Sequence, residues 1–475
     1  MKREIPLEQL VKEKKISQLT CDKVKIAKEY IEHKYNLKVI KNNEWSNIIE
    51  KINNLNLSEN NKNEIYQNII EQESAKIRSA RKKNSIFDYE SLGIIGKGAF
   101  GEVHVCREKS TGNIYAIKKI KKGNNENVSN IINEINILKI MKCKHSVEFI
   151  EYIEKDDYIY IVMELCDGDL NYLLKKMNKK IDIITIVKII IQLNEVIKLM
   201  HEKKIEHRDL KPENILIKFK DEEDFDIKLT DYGFSKSYQS NSKYSKIVGT
   251  MYYSPPEVYM NEGNSKSDLW SIGLILYYLY FNNIPFNYII DFSDLNKNAN
   301  LNKTNFDLLD DLLSKLLIEN PNERINWDNY FIHPFVNLQI IEIYIYLEKD
   351  NKNIKILDNK YFKYEQLKDS KIFIDENEKD FNTNFILNIG YHIIIILFNN
   401  ELTNCYTMFE NCNDIKEIKF INFKTNKVTD MSFMFNKCSN LINLDVRNFN
   451  TENVKFNKNM LPYNSNNFIN DCIIF

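Results

Sequence analysis

One stretch narrows the choice of folds more than any other: His207-Arg208-Asp209-Leu210-Lys211-Pro212-Glu213-Asn214. It sets a carboxylate, an arginine, an ammonium and an amide within eight residues. Asp209 and Asn214 stand five apart, so a loop can aim both at one small volume. One can accept a proton while the other holds a divalent cation. Phosphoryl transfer needs that pairing, because most of its catalysis is positioning and charge neutralisation. The loop cannot act alone. It needs a phosphate cradle, a second cation ligand and a counter-charge.

The chain carries a candidate for each. Ile95-Gly96-Lys97-Gly98-Ala99-Phe100-Gly101-Glu102-Val103 is a glycine-rich turn. Its glycines let a strand-turn-strand present backbone N–H groups to phosphates. The same spacing also fits a βαβ nucleotide turn, but Val103 and Val105 alternate as a strand and not as a helix. Tyr115-Ala116-Ile117-Lys118 follows on a predicted strand. Its lysine suits two phosphates, although a lone strand lysine is more often a surface charge. Glu134 lies sixteen residues on, within the helical pattern Ile131 to Leu138, and is its natural ion-pair partner, with Glu126 as second choice. Tyr158 to Leu170 reads as a buried strand running into a hinge. Ile227 to Gly233 reads as a strand that delivers Asp231 as a second cation ligand.

Composition excludes little else. The net charge of −1 gives no argument for nucleic acid or an anionic membrane. The eight cysteines form no CxxC and no zinc spacing, so unpaired thiols in a reducing, cytoplasmic (intracellular) setting are expected. Met1 to Pro6 shows no apolar leader region. The run Ile393 to Phe398 is too short to span a bilayer and reads as a buried strand, so no membrane span is expected. The acidic run from Asp221 to Asp226 reads as a solvated turn and not a metal site.

Gly249-Thr250-Met251-Tyr252-Tyr253-Ser254-Pro255-Pro256-Glu257, Asp268-Leu269-Trp270-Ser271-Ile272-Gly273 and Asn320-Pro321-Asn322-Glu323-Arg324-Ile325 follow in order. With the segments above they resemble the eukaryotic-type Ser/Thr protein kinases over residues 87–336. The resemblance implies an α+β, bilobal protein-kinase fold that uses ATP and Mg²⁺ on protein substrates. It implies that Asp209 takes the substrate proton and Lys211 neutralises the transferred group. Lys118, paired with Glu134, would hold phosphates, and Asn214 and Asp231 would hold Mg²⁺. The turn from Ile95 to Val103 would cover the nucleotide, with Ala116 and Met163 at the adenine pocket. Glu164 and Cys166 would offer backbone groups to adenine, Asp169 would reach the ribose, and Leu216 would lie beneath the base. Arg208 would pair with a phosphate on one of Ser235, Ser237, Tyr238, Ser240, Ser242, Tyr244 and Ser245. Arg324 would bridge Glu257. Tyr232 stands where the family usually has Phe, and a buried hydroxyl there needs a partner. The alternative is a pseudokinase scaffold that binds partners through the flanking regions. The lobe after the hinge looks closer to calcium/calmodulin-type kinases than to NDR-type ones.

The flanks differ in kind. Residues 1–86 are charged and read as helical, a regulatory arm. Val24 to Tyr35, then Glu73 to Lys83, resemble the segment before the catalytic domain of NDR/LATS (AGC) kinases. That resemblance implies a MOB-type coactivator on Arg78, Arg81, Lys82 and Lys83. The tail repeats itself at an offset of 26: Met408-Phe409-Glu410-Asn411-Cys412 recurs as Met434-Phe435-Asn436-Lys437-Cys438. Such a period predicts a stacked solenoid, and it resembles the BspA-type leucine-rich-like repeat, a binding surface for a ligand the sequence does not name. The expected plan is an arm at 1–86, a kinase domain at 87–336, a linker or cap at 337–399 and a small repeat (solenoid) region at 400–475.

Overall fold

The computed structural model describes residues 85–98, 101–123, 125–178, 181–221, 224–237, 251–259, 263–285, 301–367 and 369–461. Residues 1–84 of the expected arm, with its MOB-binding candidates, lie outside the described residues, as do Ala99, Phe100, Glu222, Glu223 and 238–250. The chain divides into two compact units, one ending at 125 but including 149–165, the other formed by 126–148 and 166 onward. No helix among the described residues is long and apolar enough to cross a membrane.

The first unit is built on its most apolar strands. These are β3 (Ile114–Lys121) and β5 (Tyr158–Glu164), placed in the middle of the order β1-β2-β3-β5-β4. Strands β1 (Tyr89–Gly98), β2 (Gly101–Glu108) and β4 (Phe149–Lys155) complete an antiparallel sheet. Cys106, Ile117, Ile153 and Val162 form its core. Gly101 has φ +138°, and a Cβ there would lie 2.0 Å from the Lys119 carbonyl oxygen. Only glycine lets the β1–β2 hairpin lie this close to β3.

In the second unit, helix α1 (Asn125–Ile140) buries Ile131, Ile135 and Leu138. The short strand β6 (Gly168–Asp169) leads into α2 (Leu170–Lys176), and α3 (Ile183–Glu202) follows. Asp182 caps α3 by accepting the Thr185 N–H at 2.8 Å. Strand β7 (Ile205–Glu206) precedes the loop around Asp209, and β8 (Ile215–Phe219) and β9 (Phe225–Leu229) pair after it. Strand β10 (Lys236–Ser237) lies antiparallel to β7. The helices α4 (Pro256–Tyr259), α5 (Ser267–Phe281), α6 (Asp307–Leu316) and α7 (Trp327–Phe331) complete this part. Helix α5 is apolar on every side, the pattern of a fully buried helix, and Trp270, Ile272 and Leu274 are all inaccessible. A Cβ on Gly273 would meet Leu317 at 2.8 Å and Leu316 at 2.9 Å, so glycine permits the close packing there.

The tail is a sheet with an added stack. Strands β11 (Gln339–Leu347), β12 (Lys352–Lys355), β13 (Lys371–Ile374), β14 (Asn377–Lys379), β15 (Asn384–Leu387), β16 (Gly390–Phe398), β17 (Ile415–Ile421) and β18 (Asn443–Leu444) occur in turn. Six of them pair in the order β14-β13-β16-β11-β17-β18. The segment expected as linker or cap therefore supplies most of this sheet. Residues from both sides of position 400 share one core, from Ile341 and Ile396 to Phe409 and Phe435. Beyond β17 the periodicity becomes geometry. Glu417 pairs with Asn443 in parallel, and Asp430 with Phe456, each at an offset of 26. The rings of Phe409 and Phe435 stack at 5.5 Å, 3° from parallel, and Cys412 and Cys438 are both buried.

The turns repeat too. Thr407, Phe433 and Asn459 have φ of 55°, 59° and 49°, and Asn411 and Lys437 have 60° and 59°. Left-handed backbone costs a residue with a Cβ about 1–2 kcal/mol, least for Asn. Lys437 is exposed and holds the place that Asn411 holds one repeat earlier. Lys437→Asn is expected to stabilise the tail by about 0.5 kcal/mol. The urea midpoint of the tail transition checks this, and an unchanged or lower midpoint would show that the turn carries no strain.

Candidate active site

The loop between β7 and β8 is fixed from below. The Asp268 carboxylate, in the first turn of α5, accepts the His207 N–H at 2.7 Å and the Arg208 N–H at 2.8 Å. That clamp holds Arg208 at φ 67°, a left-handed conformation uncommon for a long side chain. His207 Nε2 donates to the Thr230 carbonyl at 3.0 Å, while Nδ1 accepts the Asp209 N–H at 3.4 Å. Burial lowers the imidazole pKa, which fits this neutral tautomer.

Asp209 is the centre of the loop. Lys211 Nζ donates to its Oδ2 at 2.7 Å, and Asn214 Nδ2 donates to the same oxygen at 2.9 Å. Asn214 Nδ2 also reaches the Asp209 carbonyl at 2.8 Å. Burial lifts the Asp209 carboxyl above its usual pKa, and neighbouring Asp231 pushes the same way, while Lys211 and Asn214 oppose the rise. The Thr230 N–H bonds to the Asn214 carbonyl at 3.0 Å, so the end of β9 is stitched to the loop.

Asp231 follows with φ 62° and ψ 65°. Tyr232 is wholly buried, its ring 5.3 Å from that of His207. Its hydroxyl meets the Ser146 hydroxyl at 2.8 Å, which is the partner that the sequence demanded. A Cβ on Gly233 would lie 3.3 Å from Asp231 Oδ1 and 3.4 Å from Glu134 Oε2. The Glu134 and Asp231 carboxylates thus flank one glycine. Asn133 Nδ2 donates to the Ser235 carbonyl at 2.8 Å and fastens α1 to the same segment.

The other candidates sit where the strands place them. Ile95, Gly96, Lys97 and Gly98 end β1, and Gly101, Glu102 and Val103 begin β2, with Lys97 and Glu102 in an ion pair at 3.2 Å. Lys118 is buried on β3, opposite Val103 and Ile161, and Ala116 is opposite Met163. Glu164 ends β5. Cys166, Asp169 and Leu216 belong to the second unit, where Asp169 and Leu216 are paired across β6 and β8. Asp169 also caps α2, its Oδ1 accepting the Tyr172 N–H at 2.8 Å. Farther off, Arg324 grips Glu257 with two bonds, 2.7 and 3.0 Å, both side chains buried and the guanidinium 5.1 Å from the Trp270 ring.

The protein kinase domain model matches residues 89–336. The chain belongs to that family. The chain is also 31% identical over 293 residues to calcium-dependent protein kinase 4 of Plasmodium falciparum, covering 58% of this chain and 53% of that one. It is 32% identical over 273 residues to calcium-dependent protein kinase 26 of Arabidopsis thaliana, covering 54% and 55%. The chain spans about half the length of these curated relatives. Beyond the kinase domain, residues 399–473 match the family described as Mycoplasma protein of unknown function, DUF285.

Three contributors escaped the sequence reading. Asp268 stood out only as the start of an apolar helix. Glu206 adjoins the loop but had no assigned role. Ser146 carried no signal, because nothing in a sequence links it to a tyrosine 86 positions later. Removing one partner of a buried hydrogen bond costs about 1–3 kcal/mol, whereas removing both can be nearly neutral. Ser146→Ala and Tyr232→Phe are each expected to destabilise the kinase domain within that range, and the double variant by less than their sum. Thermal unfolding of the four proteins checks this, and additive losses would show that the hydroxyls are uncoupled.

Proposed function

We propose that this chain is a protein serine/threonine kinase that moves the γ-phosphoryl of Mg-ATP to protein hydroxyls. The observation that carries the proposal is the convergence of Lys211 and Asn214 on one oxygen of Asp209. The other oxygen is then left to orient a substrate hydroxyl and take its proton. Lys211 holds a positive charge beside the group in flight. Asn214 turns its amide nitrogen toward Asp209, which leaves its oxygen as a hard donor. With the Asp231 carboxylate it suits Mg²⁺, which prefers oxygen ligands. When bound, the cation neutralises charge on the phosphates. Lys118 and Glu134 are the proposed phosphate-positioning pair. The residues from Ile95 to Val103, with Ala116, Met163, Glu164, Cys166, Asp169 and Leu216, are the proposed nucleotide site. A pseudokinase scaffold is the weaker reading, because Lys118, Glu134, Asp209, Asn214 and Asp231 are all present.

We read the tail, from residue 337 onward, as one unit ending in a short solenoid of 26-residue repeats. The parallel pairings at that offset support this reading. It would serve as a binding surface for a ligand still to be found. For the arm, Arg78, Arg81, Lys82 and Lys83 remain the proposed contact for a MOB-type coactivator.

Two outcomes follow. General-base removal typically costs about 10²–10⁴ in rate. Asp209→Asn should lower kcat by that order, measured as labelled phosphate transferred from ATP to a basic protein. The base works only when ionised, and burial raises its pKa. Activity should therefore be full above the raised pKa and fall as pH drops through it, with the acid limb above the ordinary aspartate value of about 3.9. Wild type indistinguishable from Asp209→Asn would end the kinase proposal. Separately, a MOB-type protein should co-purify with the chain, and Arg78→Glu with Arg81→Glu should abolish that association. Retention by the double variant would remove the proposed contact.

A further inference from the structure

The arginine beside the catalytic aspartate already has its counter-charge. Glu206 Oε2 accepts Arg208 Nε at 2.8 Å and Nη2 at 2.6 Å. Both side chains are mostly buried, 8% and 12% exposed. Glu206 cannot drift, because its strand β7 is paired with β10, Glu206 opposite Lys236. The backbone of Arg208 is held as well, because Asp268 accepts its N–H. We infer that Glu206 is a positioning residue of the catalytic loop: its carboxylate, and not a phosphate on residues 235–250, neutralises Arg208, so transfer needs no phosphorylation of that segment.

The inference rests on the kinase reading and changes the role expected for Arg208. A phosphate would add about −1.5 to −2 charges. Here the carboxylates of Glu206 and Asp268 already face the same residue. An incoming phosphate would meet their repulsion at a guanidinium that is already neutralised. Glu206 sits two positions from Arg208, so forming the pair closes only a short loop and little entropy is lost. The pair also aims Arg208 and, through the next peptide, Asp209. Glu206 acts through Arg208 and needs no contact with substrate.

The test uses the full chain, stripped by phosphatase to its unphosphorylated mass. Phosphorylation of a basic peptide should start without a lag, at a kcat within about twofold of autophosphorylated protein. Glu206→Gln keeps the shape and removes the charge. It should lower kcat by roughly tenfold or more, a loss of about 1.4 kcal/mol in transition-state stabilisation, with KM for ATP little changed. Glu206→Asp should restore part of the loss. Hydrogen exchange at the Arg208 and Asp209 amides should be slow in unphosphorylated wild type and faster in Glu206→Gln. A lag removed by prior autophosphorylation, or a Glu206→Gln variant with wild-type kcat, would overturn the inference. If no form transfers phosphate, the kinase reading fails, and exchange decides alone: equal protection in wild type and Glu206→Gln overturns the role of Glu206, and lost protection in the variant supports it.

Discussion

The site depends on one buried carboxylate. Asp268 accepts two successive backbone N–H groups, from His207 and Arg208. Hydrogen bonds to a charged group contribute about 1.5–3 kcal/mol each. Together they exceed the cost of about 1–2 kcal/mol for holding Arg208 in left-handed backbone. The strain is therefore sustained by the contact that causes it. Asp268 itself sits at the start of α5, whose side chains are buried on every side. The loop inherits its rigidity from the most apolar helix in the kinase domain.

Several buried polar groups around that clamp are met by a specific partner. His207 spans Thr230 and the Asp209 backbone. Arg324 and Glu257 satisfy each other in a pocket where an unpaired charge would cost several kcal/mol. Tyr232 adds a hydroxyl to the core, and Ser146 meets it. In low dielectric such bonds are strong when made and costly when broken. This makes the arrangement around Asp209 and Asp231 unique, which a purely apolar packing would not guarantee.

The sequence pointed to candidate site residues more readily than to the groups that support them. The run His207 to Asn214, the glycine-rich turn and Asp231 stood out as candidates because their side chains fall at short spacings that phosphoryl transfer can use. Glu257 and Arg324 were legible only through family resemblance, since they are 67 positions apart. Ser146 was not legible at all. A hydrogen bond between distant residues leaves no periodicity in the chain. The tail shows the same contrast. Its 26-residue offset was visible because stacked copies place like residues on like residues, as with Phe409 and Phe435. The sheet before it was hidden. Strand β11 is buried on both faces, and an apolar run without alternation does not disclose its partners.

The join between the kinase domain and the tail is not a tether. Asn337 donates its N–H to the carbonyls of His333 and Pro334, and its side-chain amide to those of Phe331 and His333. Gln339, fully buried, donates to the Asn400 carbonyl and accepts the Lys424 N–H. Asn422 reaches back to the Leu338 carbonyl at 2.8 Å. Every turn of the connection is thus bonded to one side or the other. Glu342 on β11, only 3% exposed, pairs with Lys188 on α3. A desolvated carboxylate that lost this lysine would be strongly unfavourable, so the tail sheet and α3 stay in register. Helix α3 runs directly into β7, the strand that carries Glu206. The tail sheet is thus joined to α3 by an ion pair whose carboxylate is buried, and α3 ends three residues before Ile205-Glu206 and the loop around Asp209.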